Sequence, residues 1–100
     1  ILVREEQNYV VHLTTTVVVV MAGFYYKISA SEWTVLLLAI QVVLTLETVN
    51  TAIENLADFV STERNDKIMR IKDLAAAGVL ISAVTAMIIG AIVFSPKILR

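Results

Sequence analysis

Residues 33 to 46 read Trp33-Thr34-Val35-Leu36-Leu37-Leu38-Ala39-Ile40-Gln41-Val42-Val43-Leu44-Thr45-Leu46, and the chain runs straight on into Glu47-Thr48-Val49-Asn50-Thr51-Ala52-Ile53-Glu54-Asn55-Leu56-Ala57-Asp58. The first half is apolar and uncharged, a stretch that a membrane accepts as helix. The second half adds polar groups at helical spacing. With about 3.6 residues per turn, positions three or four apart share a face, so Glu47, Asn50, Glu54 and Asp58 form one polar stripe. At about 1.5 Å rise per residue, Glu54 lies roughly 10 Å further along the axis than Glu47. One carboxylate is therefore expected inside the bilayer and the other near its surface. A carboxylate within hydrocarbon costs about 2.5–3.5 kcal/mol even on lenient insertion scales, so such a group faces protein and serves a function.

Composition points the same way. Of 100 residues, 58% are hydrophobic and the mean hydropathy is +0.81, against an ordinary apolar fraction of about 45–50%. A soluble domain of this size has too little interior to hide that surface, so the chain is expected to be a membrane protein. A net charge of −1 gives no basic field, and aromatic and basic residues do not interleave, so nucleic acid is not an expected partner. With no cysteine, disulfides, thiol nucleophiles and thiolate metal sites are excluded. Because the chain opens on Ile1, a preceding N-terminal piece is expected. Arg4, Glu5 and Glu6 do not resemble a signal peptide.

The expected architecture is all-α: a single membrane-embedded domain over residues 1–100, with transmembrane spans at about 10–26, 33–60 and 74–94. Ile1 to Asn8 is short and polar and belongs at the membrane surface. Val10 to Tyr26 is the first span; its β-branched run favours strands in water, but a lone strand pair leaves open edges in lipid, so helix prevails. Tyr9, Tyr26 and Trp33 are placed at the interfaces. Lys27 to Ser31 is a tight connection with Ser31 as a cap for the second helix, Ser61 to Arg70 is a charged loop, and Asn65 or Asp66 caps the third helix. Ser95-Pro96 is expected to end that helix. Arg64, Lys67, Arg70 and Lys72 in and after the second loop, with Arg4, outweigh Lys27, Lys97 and Arg100 on the other side. The positive-inside rule then places the N-terminus, the second loop and the acidic stripe at the cytoplasmic face. In the third helix Gly78, Ser82, Ala86 and Gly90 recur every four residues, a small-residue ridge for close helix packing. Three helices are too few to enclose a site, so oligomerisation through this face is expected.

Each polar feature also has a structural reading. Glu54 and Asp58 fit solvated cytoplasmic carboxylates paired with Arg64 or Lys67. Glu47 fits a protonated acid hydrogen-bonded to a neighbouring helix, but burial raises a carboxyl pKa, and that suits a general base for an alcohol. Glu6 and Glu54 fit a magnesium site of one or two carboxylates completed by phosphate oxygens and water. Lys72 is either an interface lysine with its head in water or a counter-charge for phosphate. His12 has no second His or Cys for zinc and is expected to hydrogen-bond near the interface. No phosphate-cradling glycine loop is present, so side chains and a metal must hold any nucleotide.

The run Glu47-x-x-Asn50-Thr51-Ala52-Ile53-Glu54-x-x-x-Asp58, followed by Lys72-Asp73-x-Ala75-Ala76, resembles the signature of the small prokaryotic diacylglycerol kinase family, integral-membrane lipid kinases unrelated to the soluble kinases. Glu6-x-Asn8-Tyr9-x-x-His12 and Phe94-Ser95-Pro96-Lys97 are similar to its Gram-positive branch, whose members phosphorylate undecaprenol. The resemblance implies Glu47 as catalytic base, and Glu6 and Glu54 as magnesium ligands that also contact ATP. It implies Asn50 in the active site, Glu63, Arg64 and Asn65 as a nucleotide-contacting loop, Lys72 and Asp73 at the phosphates and adenosine, and Asn8, Tyr9 and His12 at the lipid-facing edge. It further implies a homotrimer with sites between subunits, and an amphipathic surface helix before Ile1. The resulting expectation is an ATP- and Mg2+-dependent kinase for undecaprenol in the bacterial inner membrane, with diacylglycerol as the alternative acceptor. A reading of another class, a non-catalytic scaffold or proton-coupled subunit, accounts for the buried Glu47 and the small-residue ridge. It leaves the gathering of Glu6, Glu54, Lys72 and Asp73 on one side without a reason.

Overall fold

The computed structural model describes residues 2–60 and 65–99, with side chains described from Val10 onward. It is all-helical: α1 Leu2–Tyr25, α2 Ala30–Val60 and α3 Asp66–Ile98. At about 1.5 Å per residue, the 31 residues of α2 and 33 of α3 give rods long enough for a hydrocarbon core of about 30 Å. Both are apolar enough to cross a membrane, whereas the apolar part of α1, Val10–Tyr25, is a shorter stretch. The helix of α1 nevertheless starts at Leu2, so the polar N-terminal segment, expected at the surface as a helix end or loop, continues the rod.

The turn between α1 and α2 is built from local hydrogen bonds. Ile28 N–H donates to the Gly23 carbonyl and Lys27 N–H to that of Phe24, at 3.2 and 3.3 Å, with Lys27 left-handed at φ 52°. This is the Schellman pattern, with Lys27 in the place glycine usually takes. The cap of α2 is Ser29 rather than the expected Ser31. Ser29 Oγ accepts from Glu32 N–H at 3.2 Å, and Glu32 Oε1 accepts from Ser29 N–H at 2.9 Å. That reciprocal box requires a carboxylate three residues on, which Ser29 has and Ser31 lacks. The other Glu32 oxygen pairs with Lys97 Nζ at 3.1 Å, tying the start of α2 to the end of α3.

Two further expectations shift. Asn65 caps α3, its Oδ1 accepting from Lys67 N–H at 2.8 Å and Ile68 N–H at 3.4 Å; residues 66–70, expected in the loop, are therefore helix. Pro96 does not stop α3, which runs on to Ile98. In the last turn proline forfeits a single i→i−4 bond, and the Lys97–Glu32 pair and the Leu99 N–H to Ser95 carbonyl bond at 3.0 Å hold the end.

α2 and α3 pair along their length, while α1 meets α2 sparsely. The core lies at the turn end, where Ile28, Leu36 and Val93 are buried among Trp33, Ile40, Ile89 and Phe94. Elsewhere large apolar side chains point outward, including Phe24, Leu80, Met87 and Ile92. A surface so apolar over a core so small fits lipid or further protein, not water. The small-residue ridge does pack, as expected: Ser82 is buried, its hydroxyl donating to the Val79 carbonyl at 2.7 Å, and α2 is the helix beside it.

Candidate active site

α2 carries the polar stripe and α1 supplies its principal partner. His12 Nε2 lies 3.1 Å from Glu47 Oε2, and the Glu47 side chain is only 12% exposed. This is hydrogen-bond distance. It answers the desolvation of a carboxylate inside the span, because a buried charge left alone is costly and one that is bonded is tolerated. Glu47 thus faces protein rather than acyl chains, and His12, expected to hydrogen-bond near the interface, approaches the stripe itself. The cross-helix partner could not be read from spacing, since residues 12 and 47 belong to helices joined by a tight turn.

His12 is also part of the wall of an apolar groove of about 360 Å³ between α1 and the α2–α3 pair, with Thr16, Leu36, Val43, Ala86 and Gly90 among its other lining residues. The antiparallel run of the helices puts His12 and Leu44 at the end of the groove nearest the stripe and Leu36 and Phe94 at the other. The groove therefore ends at His12, and Glu47 stands behind that residue rather than in the groove lining.

One turn beyond Glu47, Asn50 Oδ1 is buried without a hydrogen-bond partner among the described residues. An unsatisfied acceptor of this kind costs about 1–3 kcal/mol, so it marks a place where a donor or cation is wanted. Glu54, four residues on and on the same face, is half-buried. Asp58 pairs with Lys72 of α3 rather than with Lys67, as expected from the sequence. Its other expected partner, Arg64, lies outside the described residues. The pair links the C-terminal part of α2 to the N-terminal part of α3 and is partly exposed, with side-chain accessibilities of 44% and 30%. Asp73 is exposed beside Lys72, and Asn65 spends its Oδ1 on the helix cap.

Glu47, Asn50, Glu54, Lys72 and Asp73 thus lie toward the same end of the α2–α3 pair, where Asp58 meets Lys72, with His12 of α1 beside Glu47. The side chains of Glu6, Asn8 and Tyr9, and all of Glu63 and Arg64, lie outside the described residues. Among the described residues no three His, Cys, Asp or Glu side chains gather as a metal site. Glu54 supplies one carboxylate of the kind magnesium takes together with phosphate oxygens and water; the side chain of Glu6, the other expected ligand, lies outside the described residues.

The chain thus sets an apolar groove ending at His12 beside a largely shielded carboxylate, with an acidic–basic pair further along α2 and α3. The chain belongs to the prokaryotic diacylglycerol kinase family, which it matches over residues 1–94. It is 35% identical over 95 residues to the undecaprenol kinase of Bacillus subtilis (strain 168), covering 95% of this chain and 77% of that protein. It is 33% identical over 95 residues to a diacylglycerol kinase of Synechocystis sp., covering 94% of this chain and 54% of that one. No solved structure matches the chain. It is a membrane lipid kinase with ATP as phosphoryl donor.

Proposed function

We propose that the protein phosphorylates undecaprenol to undecaprenyl phosphate at the cytoplasmic face of the bacterial plasma membrane, with Glu47 as general base. The observation that carries this reading is the 12% exposed Glu47 carboxylate, 3.1 Å from the histidine that lines one end of an apolar groove. The identity to the Bacillus enzyme supports the polyprenol as acceptor. The lipid hydroxyl enters from the bilayer and gives its proton to Glu47 as its oxygen attacks the γ-phosphorus. The new O–P bond forms while the bond from that phosphorus to the β–γ bridging oxygen breaks, and ADP leaves. Lys72, which lies against Asp58, turns to the phosphates, and Asp73, Asn65, Glu63 and Arg64 contact the nucleotide. Asn50 accepts a hydrogen bond within the site. Glu54 and Glu6 hold Mg2+, which when bound offsets the negative charge of the phosphates.

Because a single protomer leaves large apolar faces turned outward that a neighbouring copy would cover, the working form is a homotrimer with sites shared between copies. The purified protein given labelled ATP and either undecaprenol or diacylglycerol in mixed micelles is expected to turn over the polyprenol faster. A clear preference for diacylglycerol overturns the acceptor and leaves the lipid kinase in place. Glu47→Gln, which keeps the shape and loses the basic oxygen, is expected to lower kcat at least about a hundredfold with assembly intact. Near-normal turnover removes Glu47 from the role of base.

A further inference from the structure

We infer that His12 is a positioning residue for Glu47: the close approach of its Nε2 to one carboxylate oxygen fixes that oxygen and dedicates the other to the acceptor hydroxyl. The inference rests on the reading of Glu47 as base, and it departs from the lipid-contacting role that the sequence resemblance gives His12.

The geometry supports a device that fixes the base. Glu47 has a flexible side chain, and a base serves best when its oxygen waits in one place. Among the described residues the Nε2–Oε2 contact of 3.1 Å is the ion pair the Glu47 carboxylate makes. The nearby hydroxyls are turned to the backbone: Thr51 Oγ1 donates to the Glu47 carbonyl at 3.1 Å and Thr16 Oγ1 to the His12 carbonyl at 2.8 Å. Both the neutral Nε2–H tautomer and the imidazolium present a donor at Nε2, so the contact survives a change in the histidine's charge. The contact also spans two helices that otherwise meet sparsely, so the angle of α1 against α2 sets where the Glu47 carboxylate lies. The lipid groove and the base are thereby coupled, since the side chain that forms one end of the groove wall also orients the group that acts there. With Oε2 engaged, Oε1 receives the proton of the acceptor.

The test compares His12→Ala and His12→Gln with the parent protein in the same mixed micelles. Steady-state kinetics are measured against the lipid alcohol and ATP, alongside the infrared carboxylate stretch of Glu47, identified by its loss in Glu47→Gln. The glutamine amide reaches nearly as far as imidazole Nε2 and donates, so it replaces the contact without the ring. His12→Ala is expected to lower kcat about ten- to a hundredfold with both KM values within about twofold, and to shift the Glu47 carboxylate band. His12→Gln is expected to recover most of kcat and to return the band toward its original position.

A purely structural role lowers the thermal midpoint and the amount of active protein but leaves the kcat of surviving enzyme unchanged, which overturns the inference. A raised lipid KM with kcat intact overturns it in favour of a substrate contact. A band unmoved in His12→Ala overturns the contact itself, whatever Glu47 does. Full activity of Glu47→Gln, by contrast, removes the base on which the inference stands, and so separates that failure from a failure of His12.

Discussion

Lys27 takes a left-handed backbone conformation, φ 52°, at the position of a Schellman turn where glycine avoids a Cβ clash. The left-handed region costs an ordinary residue about 1–2 kcal/mol, and the chain bears this in order to reverse between α1 and α2. Lys27→Gly is expected to stabilise the folded protein by about 0.5–1 kcal/mol, the relief being partly offset by the greater freedom of glycine in the unfolded chain. A thermal melt in detergent that shows a higher midpoint and unaltered kcat is the expected outcome. Lys72 makes the opposite kind of residue-scale case. Its pair with Asp58 is half-open to solvent, and such pairs contribute about 0–1 kcal/mol. Lys72→Met should therefore hardly move the melting midpoint. If the lysine serves the phosphates, the same variant raises the KM for ATP at least about tenfold, as steady-state kinetics at fixed lipid will read.

At the scale of elements, α1 depends on one close approach. A Cβ built on Gly23 would come within 2.6 Å of the Trp33 ring, so the glycine lets the first residues of α2 press the indole flat against α1. Phe24 flanks the same ring at 5.0 Å. A bulky ring has little room to yield, and α1 has few other contacts to share the load. Gly23→Ala is expected to cost about 1–3 kcal/mol and to lower activity by loosening the angle that brings His12 to Glu47. A thermal melt and a turnover assay check both effects, and Trp33→Leu in the same chain should restore part of each. The sequence made much of this level legible. Three apolar stretches, the stripe from Glu47 to Asp58 and the Asn65 cap all follow from local spacing. What it left hidden depends on pairs distant in the chain. Ser31 reads as the cap until Glu32 is seen to answer Ser29 instead, and Pro96 reads as a terminator until Lys97 is found bound to Glu32. Likewise, nothing in the one-dimensional pattern sends His12 to Glu47 or Asp58 to Lys72, because the angle between helices decides which side chains meet.

At the scale of the molecule the question is what covers the outward apolar faces. α2 and α3 leave a second groove of about 510 Å³, lined by Val35, Leu38, Val42, Gly78 and Ser82 among others. Ala39 and Ala86 line both this groove and the one beside α1, so the α2–α3 contact separates them. The small-residue ridge is only partly used within the protomer. Ser82 is buried, yet a Cβ at Gly78 or Gly90 meets nothing within 4 Å. Close packing of one chain upon itself therefore does not require glycine at either end of the ridge, whereas close approach by a second copy would, since small residues let helix backbones meet in lipid. Gly78→Leu separates the two demands. Within a lone protomer the open space accepts the first atoms of the side chain, so helical content and the melting of secondary structure should change little. Between copies the leucine stands where a neighbouring helix must approach. Native mass spectrometry in detergent is then expected to show the proposed trimers replaced by monomers, together with a loss of kinase activity, because the proposed sites between copies are lost. Trimers persisting at full activity would place the subunit contact elsewhere on the apolar surface and leave the openness at Gly78 to lipid.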